Sequence, residues 1–280
     1  MKKTVLILAV MLTTSSLFAQ ETKETPAATT EPEAPASKFA AGVDVVAPYL
    51  WRGIALNSIS KVAFQPYASY AFTDKLTFGV WGTTNVSSDD KSYNEVDWYV
   101  SYQATKVIKL MLSDYYYNAT KKSGGLRNGY FKYDENSPHV MDLSVLFDFS
   151  ESGIPLDFQW NTLIYGNDFK YNSSGAKSRA FSSYAEAGYT YTIEKAGIDL
   201  RPFVGATVIN EGGYYGVDEN GNPGFAFTNV GLNVAKEIKF SESFSLPVFL
   251  RYTYNQNGNA NDDGEIKNSF ISGGMTFTIK

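Results

Sequence analysis

The chain has no cysteine among its 280 residues. That absence excludes a disulfide framework, a thiolate metal site and an amino-terminal lipid anchor on cysteine. There is a single histidine, so a metal centre built from a histidine cluster is excluded too. Basic residues are in the minority, 24 against 29 acidic ones, and the net charge of −5 argues against nucleic acid as a partner. Long apolar runs are also lacking. Beyond residues 4–12 no stretch approaches the roughly 18 apolar residues that a membrane-spanning helix needs. What is plentiful is aromatic, with 20 Tyr and 19 Phe.

The chain opens with Met1-Lys2-Lys3, an apolar run over 4–12 and a small-residue stretch ending near Ala19. These are the charged, apolar and cleavage regions of a secretory signal, and the apolar part is too short to remain as a membrane helix. We therefore expect residues 1–19 to be a signal peptide directing Sec-dependent export. Its removal takes Lys2 and Lys3 and lowers the net charge from −5 to −7. Residues 20–38, QETKETPAATTEPEAPASK, are rich in Pro, Thr, Glu and Ala and hold almost no large apolar side chain. Such a composition buries too little surface to order itself and reads as a disordered periplasmic linker.

Residues 41–53, AGVDVVAPYLWRG, set the pattern for the rest. Val43, Val45, Ala47, Tyr49 and Trp51 fall on one parity, and Gly42, Asp44, Val46, Pro48, Leu50 and Arg52 on the other. A period of two is a strand with a different environment on each face. Tyr49 and Trp51 end the greasier parity and are expected at the lipid interface, where an apolar ring keeps its polar atom wet. A soluble sandwich strand alternates in the same way, so the decision rests on the other segments.

Alternation and turn signals give about 12 strand-like segments. They run over 39–52, 62–72, 75–86, 93–104, 108–118 and 139–149, then 155–166, 178–193, 198–210, 225–236, 245–255 and 268–279. Joins after even segments are tight, such as Thr73-Asp74 and Glu194-Lys195-Ala196-Gly197. Joins after odd segments are mostly long and polar, as at 119–138 and 211–224. Short turns at one end and long loops at the other are the sidedness of an outer-membrane barrel. A soluble sandwich has no reason to alternate so strictly. The expected fold is therefore all-β: a transmembrane antiparallel barrel over residues 39–280, in the outer membrane of a Gram-negative-type bacterium.

Parity sorts side chains into lipid and lumen. Val96, Trp98, Val100 and Tyr102 fall together, as do Leu143, Val145, Phe147 and Phe149, and Trp98 and Phe149 join the expected interface aromatics. Lys or Arg on the lipid face at mid-depth costs about 2–4 kcal/mol, so the charged parities must face inward. The candidate lumen residues are Asp44, Arg52, Asp148, Asp157, Glu186, Asp199, Arg201 and Arg251. The arginines facing carboxylates make either a selective constriction or a mutually satisfying structural network. Asp148 and Asp157 flank the turn 150–153 and are expected opposite each other near the turn-end mouth, with Asp44 and Asp199 at the same level.

The run Tyr49-Leu50-Trp51-Arg52-Gly53-Ile54 resembles the first strand of TorF-type outer-membrane porins, with their aromatic-x-aromatic-Arg-Gly pattern. Gln65-Pro66 followed by Tyr67-Ala68-Ser69-Tyr70 is similar to that family's second strand, and Gly79-Val80-Trp81-Gly82 to its third. The resemblance covers residues 41–85 and implies a porin-type barrel with an unassigned solute.

The reading is a channel for passive diffusion of small solutes with modest cation preference, without a cofactor. Its partners would be outer-membrane lipid and the barrel-assembly machinery. The rival is a closed structural or surface-recognition barrel acting through its loops. An esterase on the wall would need a nucleophile beside His139, and no serine is identifiable as one. The loops at 218–222 and 259–265 carry oxygen ligands spaced like the start of a calcium loop but lack its closing Glu.

Overall fold

A computed structural model describes residues 38–56, 61–85, 93–117, 130–134, 137–241, 244–260 and 266–279. The expected signal and linker lie outside them. Strands β1 to β6 are Phe39–Ala47, Ala63–Ala71, Leu76–Thr84, Asn94–Gln103, Ile108–Tyr117 and His139–Asp148. Strands β7 to β12 are Leu156–Gly166, Ser183–Tyr189 (resuming as Tyr191–Ile193 after a break at Thr190), Ile198–Ile209, Ala226–Lys239, Ser245–Ala260 and Ile266–Ile279. The sheet's 13 segments are thus twelve strands. Each pairs antiparallel with its neighbour in sequence, and β1 closes on β12 through Ala41↔Ile279 to Ala47↔Gly273. A closed barrel leaves no unpaired edge.

The expected faces hold along the wall. Ile271 is 67 % exposed, Val96 58 % and Leu250 57 %, all on the outer parity, whereas the inner-parity Asp142 is 0 % exposed. A closed barrel with an apolar outside and a polar inside is the inverse of a water-soluble protein and suits a bilayer.

Short connections gather at one end because side chains close them locally. Thr73 Oγ1 accepts from the N–H groups of Lys75 and Leu76 at 3.2 and 3.0 Å, and Thr105 Oγ1 from those of Val107 and Ile108 at 3.2 and 3.0 Å. Asp148 Oδ1 accepts from Ser150 N–H at 2.9 Å at the 3₁₀ turn Ser150–Ser152. These hydroxyl and carboxylate turns reverse the chain in a few residues. Among the described residues, the opposite end carries the long connections 167–182 and 210–225.

Three boundaries depart from the sequence reading by five residues. The segment expected over 178–193 begins as a strand only at Ser183, because Lys177–Arg179 pairs with Phe169–Tyr171 as a separate ribbon at the loop end. Strand β11 runs on to Ala260, five residues past its expected end. The first strand stops at Ala47 rather than reaching Arg52. Pro48 has no N–H to continue the ladder, so the chain leaves the wall there.

Candidate functional site

Past Pro48 the chain turns into the barrel. Leu50–Trp51 pairs with Ile54–Ala55 as a small hairpin with Arg52 and Gly53 at its tip. Both tip residues have positive φ, 49° and 81°, which matches the twist of a two-residue hairpin turn. A Cβ on Gly53 would lie 1.6 Å from the carbonyl oxygen of Thr228, so only glycine lets the tip come this close to the wall. Asn255 and Asn259 donate to the Gly53 carbonyl at 3.0 and 3.2 Å, and Ser272 donates to that of Pro48 at 2.8 Å. The hairpin is thereby fixed to β11 and β12.

Tyr49 and Trp51 are consequently not interface aromatics: they are 7 % and 8 % exposed and lie inside. Trp51 stacks on Tyr215 with centroids 5.5 Å apart, and meets Tyr115 and Tyr214 edge-on at 6.0 and 6.2 Å. Tyr215 arrives from the loop between β9 and β10, held by Asn210, which accepts from Tyr215 N–H at 2.9 Å. The alternation of residues 41–53 is real, but its last six residues belong to a plug and not to the wall. Trp98 and Phe149 do sit on the outer parity. Phe149 stacks on Phe147 at 6.2 Å, and Trp98 turns its N–H to Asp114 at 3.0 Å.

Arg52 donates to Tyr215 Oη and Asp142 Oδ2, and Tyr115 Oη donates to the same carboxylate oxygen at 3.1 Å. The guanidinium also lies 4.6 Å from the Trp51 ring centre. Arg52, Tyr184 and Tyr215 are each no more than 1 % exposed, so the lumen is packed at this level. A polar rail leads from there toward the turn end. Arg251 donates to Asn229 Oδ1 at 3.1 Å, and Asn229 donates to Glu186 Oε2 at 2.6 Å. Glu186 Oε1 accepts from Arg201 at 3.1 Å, and Arg201 holds Asp157 through two bonds, at 2.9 and 2.5 Å.

Asp148 and Asp157 stand directly opposite in register, as parity implies. They are not a bare carboxylate pair, however, since Arg201 neutralises Asp157 and Asp148 caps its own turn. Asp199 accepts from Thr192 Oγ1 at 2.6 Å. Asp148, Asp157 and Asp199 are half-buried near the turn end, while Asp44 sits deeper in its strand at 1 % exposure. The four therefore do not form one level ring.

Sequence reasoning missed Asp114, a carboxylate on the outer parity of β5. It is 0 % exposed because three donors converge on it: Trp98 Nε1 and Tyr133 Oη at 3.0 Å, and His139 Nδ1 at 3.2 Å. Tyr116, Tyr130 and Tyr133 surround the imidazole with centroids 4.4–4.7 Å away. His139 is thus fully buried rather than at an open rim. Ser137 Oγ accepts from the backbone N–H of His139 at 3.0 Å, so that hydroxyl is engaged with the main chain.

Asp218 accepts from the N–H groups of Asn220 and Asn222 at 2.9 and 2.8 Å, which makes the 218–222 segment a self-closing turn. The Asn222 N–H holds the Asp218 carboxyl below its ordinary value. The other calcium-like stretch lies mostly outside the described residues. Its Asn259 tethers the plug. No cluster of metal-ligating side chains occurs among the described residues.

No family model matches the sequence, and no curated protein matches it. The fold is similar to that of the NanC porin at 11 % identity, covering 86 % of this chain and 99 % of that one with a TM-score of 0.47. It is also similar to the COG4313 outer membrane channel from Pseudomonas putida F1, at 15 % identity over 91 % of this chain and all of that one, with a TM-score of 0.43. A third similar structure is Salmonella typhi OmpF in complex with daunomycin, at 9 % identity over 86 % and 96 % of the two chains and a TM-score of 0.37.

Proposed function

We propose that the protein is an outer-membrane channel for passive diffusion of small solutes, with its loop end outside the cell and its turn end in the periplasm. The observation that carries this reading is the chemistry of the interior. A barrel built only as a scaffold gains most from an apolar filling, because a buried ion pair is no more stabilising than well-packed apolar residues. Here the rail Asp157–Arg201–Glu186–Asn229–Arg251 lines the inside instead. The obstruction is made by the hairpin together with Tyr214 and Tyr215 from the loop between β9 and β10, so moving these two segments would open a polar path. Charged side chains across a narrow lumen make a transverse field that sorts ions.

The finer reading is a modest preference for cations. It rests on the half-buried Asp148 and Asp199 at the turn-end mouth and on the mature charge of −7 after loss of Lys2 and Lys3. The chain further reads as one of the TorF-type porins, through Tyr49-Leu50-Trp51-Arg52-Gly53, Gln65-Pro66 and Gly79-Val80-Trp81-Gly82. The inward turn of the first of these motifs gives its Arg-Gly pair a physical role as the tip of a plug.

Single-channel recording in planar bilayers tests the proposal. We expect discrete openings, and a reversal potential on the cation side in a salt gradient. A folded barrel that passes no current under any voltage would overturn the channel reading in favour of a surface-recognition barrel.

A further inference from the structure

The plug fills the lumen with one of its own cations. Arg52 sits in a socket made by other segments: Asp142 on β6, Tyr115 on β5, Tyr184 on β8 and Tyr215 in the loop between β9 and β10. Its guanidinium lies 5.2 Å from the Tyr184 ring centre and 5.8 Å from that of Tyr215. A buried carboxylate among aromatic faces and hydroxyls is the chemistry that holds a planar, weakly hydrated cation. We propose that the Asp142 socket is a binding site for guanidinium-bearing solutes, which Arg52 occupies as a built-in competitor.

The Arg52–Asp142 pair is not a complete one. Arg52 reaches only Oδ2 of Asp142. Asp142 Oδ1 and Arg52 Nε are buried and have no hydrogen-bond partner among the described residues. A solute guanidinium is tied to no backbone, so it can turn two parallel N–H donors onto both carboxylate oxygens. Such bidentate pairing is the stronger form. Arg52 is moreover held at a φ of 49°, a region that costs a non-glycine residue conformational energy. The competitor is bonded at one carboxylate oxygen and strained, so a solute that pairs with both oxygens can displace it.

The surroundings favour cations. Glu95 and Asp97 lie on the inner parity of β4, 7 % and 8 % exposed, with Asp97 directly opposite Tyr115. Glu95 accepts from the hydroxyls of Tyr93, at 3.0 Å, and of the hairpin's Tyr49. Asp97 accepts from the Tyr116 N–H at 3.2 Å. Neither forms an ion pair with another described residue. Three carboxylates thus accompany one guanidinium here, and the surplus negative charge draws cations toward the socket. Passage of such a solute through the barrel rests on the channel reading, whereas its binding does not.

Thermal unfolding and isothermal titration of the protein in detergent micelles test the site, with methylguanidinium chloride as the probe and methylammonium and sodium chlorides as controls. In Arg52→Ala we expect saturable binding of methylguanidinium, at least tenfold tighter than methylammonium, with a rise in thermal midpoint. Binding to the parent should be at least tenfold weaker than to Arg52→Ala, because Arg52 competes. Adding Asp142→Asn to Arg52→Ala should weaken binding tenfold or more. Arg52→Lys keeps a charge but loses the planar fork; it should bind with intermediate affinity and carries the test if Arg52→Ala does not assemble. No saturable binding in either Arg52 variant, equal affinity in parent and variants, or unchanged binding without the Asp142 charge would each overturn the proposal. Current through bilayers without this binding sinks only the site, and binding without current sinks only the channel.

Discussion

Arg52 and Asp142 are 90 residues apart in sequence and form an ion pair across the inside of the barrel, both at no more than 1 % exposure. One comes from the tip of a loop and the other from the wall, so this bond adds to the tethers from Asn255, Asn259 and Ser272 that seat the plug. Removing one partner leaves an uncompensated buried charge, at about 3–5 kcal/mol. Arg52→Ala and Asp142→Ala should each lower the midpoint of heat-modifiable migration in gel electrophoresis and raise single-channel conductance severalfold. The double variant should be less destabilised than the sum of the two, since no charge is left alone. Strict additivity would show that the two side chains do not act as a pair.

Gly53→Ala tests the plug through its backbone. The substitution asks for a Cβ 1.6 Å from Thr228 O at a φ of 81°, so the tip cannot keep its place. The tip makes this contact against β10, but the pairing that closes the wall does not run through the hairpin. The barrel should still assemble and shift in electrophoresis, with larger and noisier openings than the parent. A variant with the parent's conductance would mean that the hairpin does not obstruct the path.

Selectivity should respond unequally to the two opposed aspartates. Asp157→Asn takes away a bidentate partner of Arg201, leaving that cation only Glu186, whereas Asp148→Asn alters a carboxylate bonded to its own turn. Reversal potentials in a salt gradient should therefore move further toward anions in Asp157→Asn than in Asp148→Asn. Both shifts should shrink at high salt, where the Debye length is about 3 Å at 1 M. Equal shifts, or none, would remove these residues from the selectivity account.

The outward carboxylate supplies a stability test. Asp114→Ala strips three donors, Trp98, Tyr133 and His139, of their shared acceptor. Each donor stranded without a partner costs about 1–3 kcal/mol. The expected result is a clear drop in thermal midpoint and faster proteolysis near Tyr133, with conductance unchanged because the site lies on the outer wall. Altered selectivity in this variant would contradict that placement.

Sidedness is checked by labelling intact cells. Cysteines placed at Gly175 and Gly221, in loop-end turns, should react with an impermeant maleimide, and those at Asp74 and Gly153 should not. Equal reaction of both pairs would overturn the orientation.

Much of this architecture is legible from parity alone. Val96, Leu143, Val204 and Leu250 face out, and Asp142, Glu186, Arg201 and Arg251 face in, because a period of two leaves a strand no other choice once both sides are specified. The plug was not legible, and the reason is physical. A hairpin inside a polar lumen uses the same alternation as the wall, so Tyr49 and Trp51 look like a continued strand. The signal that separates them is Pro48, which cannot extend the ladder, followed by Arg52-Gly53 at a turn with positive φ. Asp114 was hidden for a different reason. It breaks the rule that charge avoids the outer parity, and the donors that permit this come from three separate segments of the chain.

The fastening of the hairpin has a consequence for the order in which the molecule is completed. It follows the first strand directly, yet its anchors are Asn255 and Asn259 on β11 and Ser272 on β12, some two hundred residues later. A segment made early thus waits for the final strands before it can settle. Those strands include the one that closes the cylinder against β1. A seated plug is therefore a certificate of closure: an unfinished barrel holds its aromatic-rich tip loose and open to proteases, and a finished one hides it.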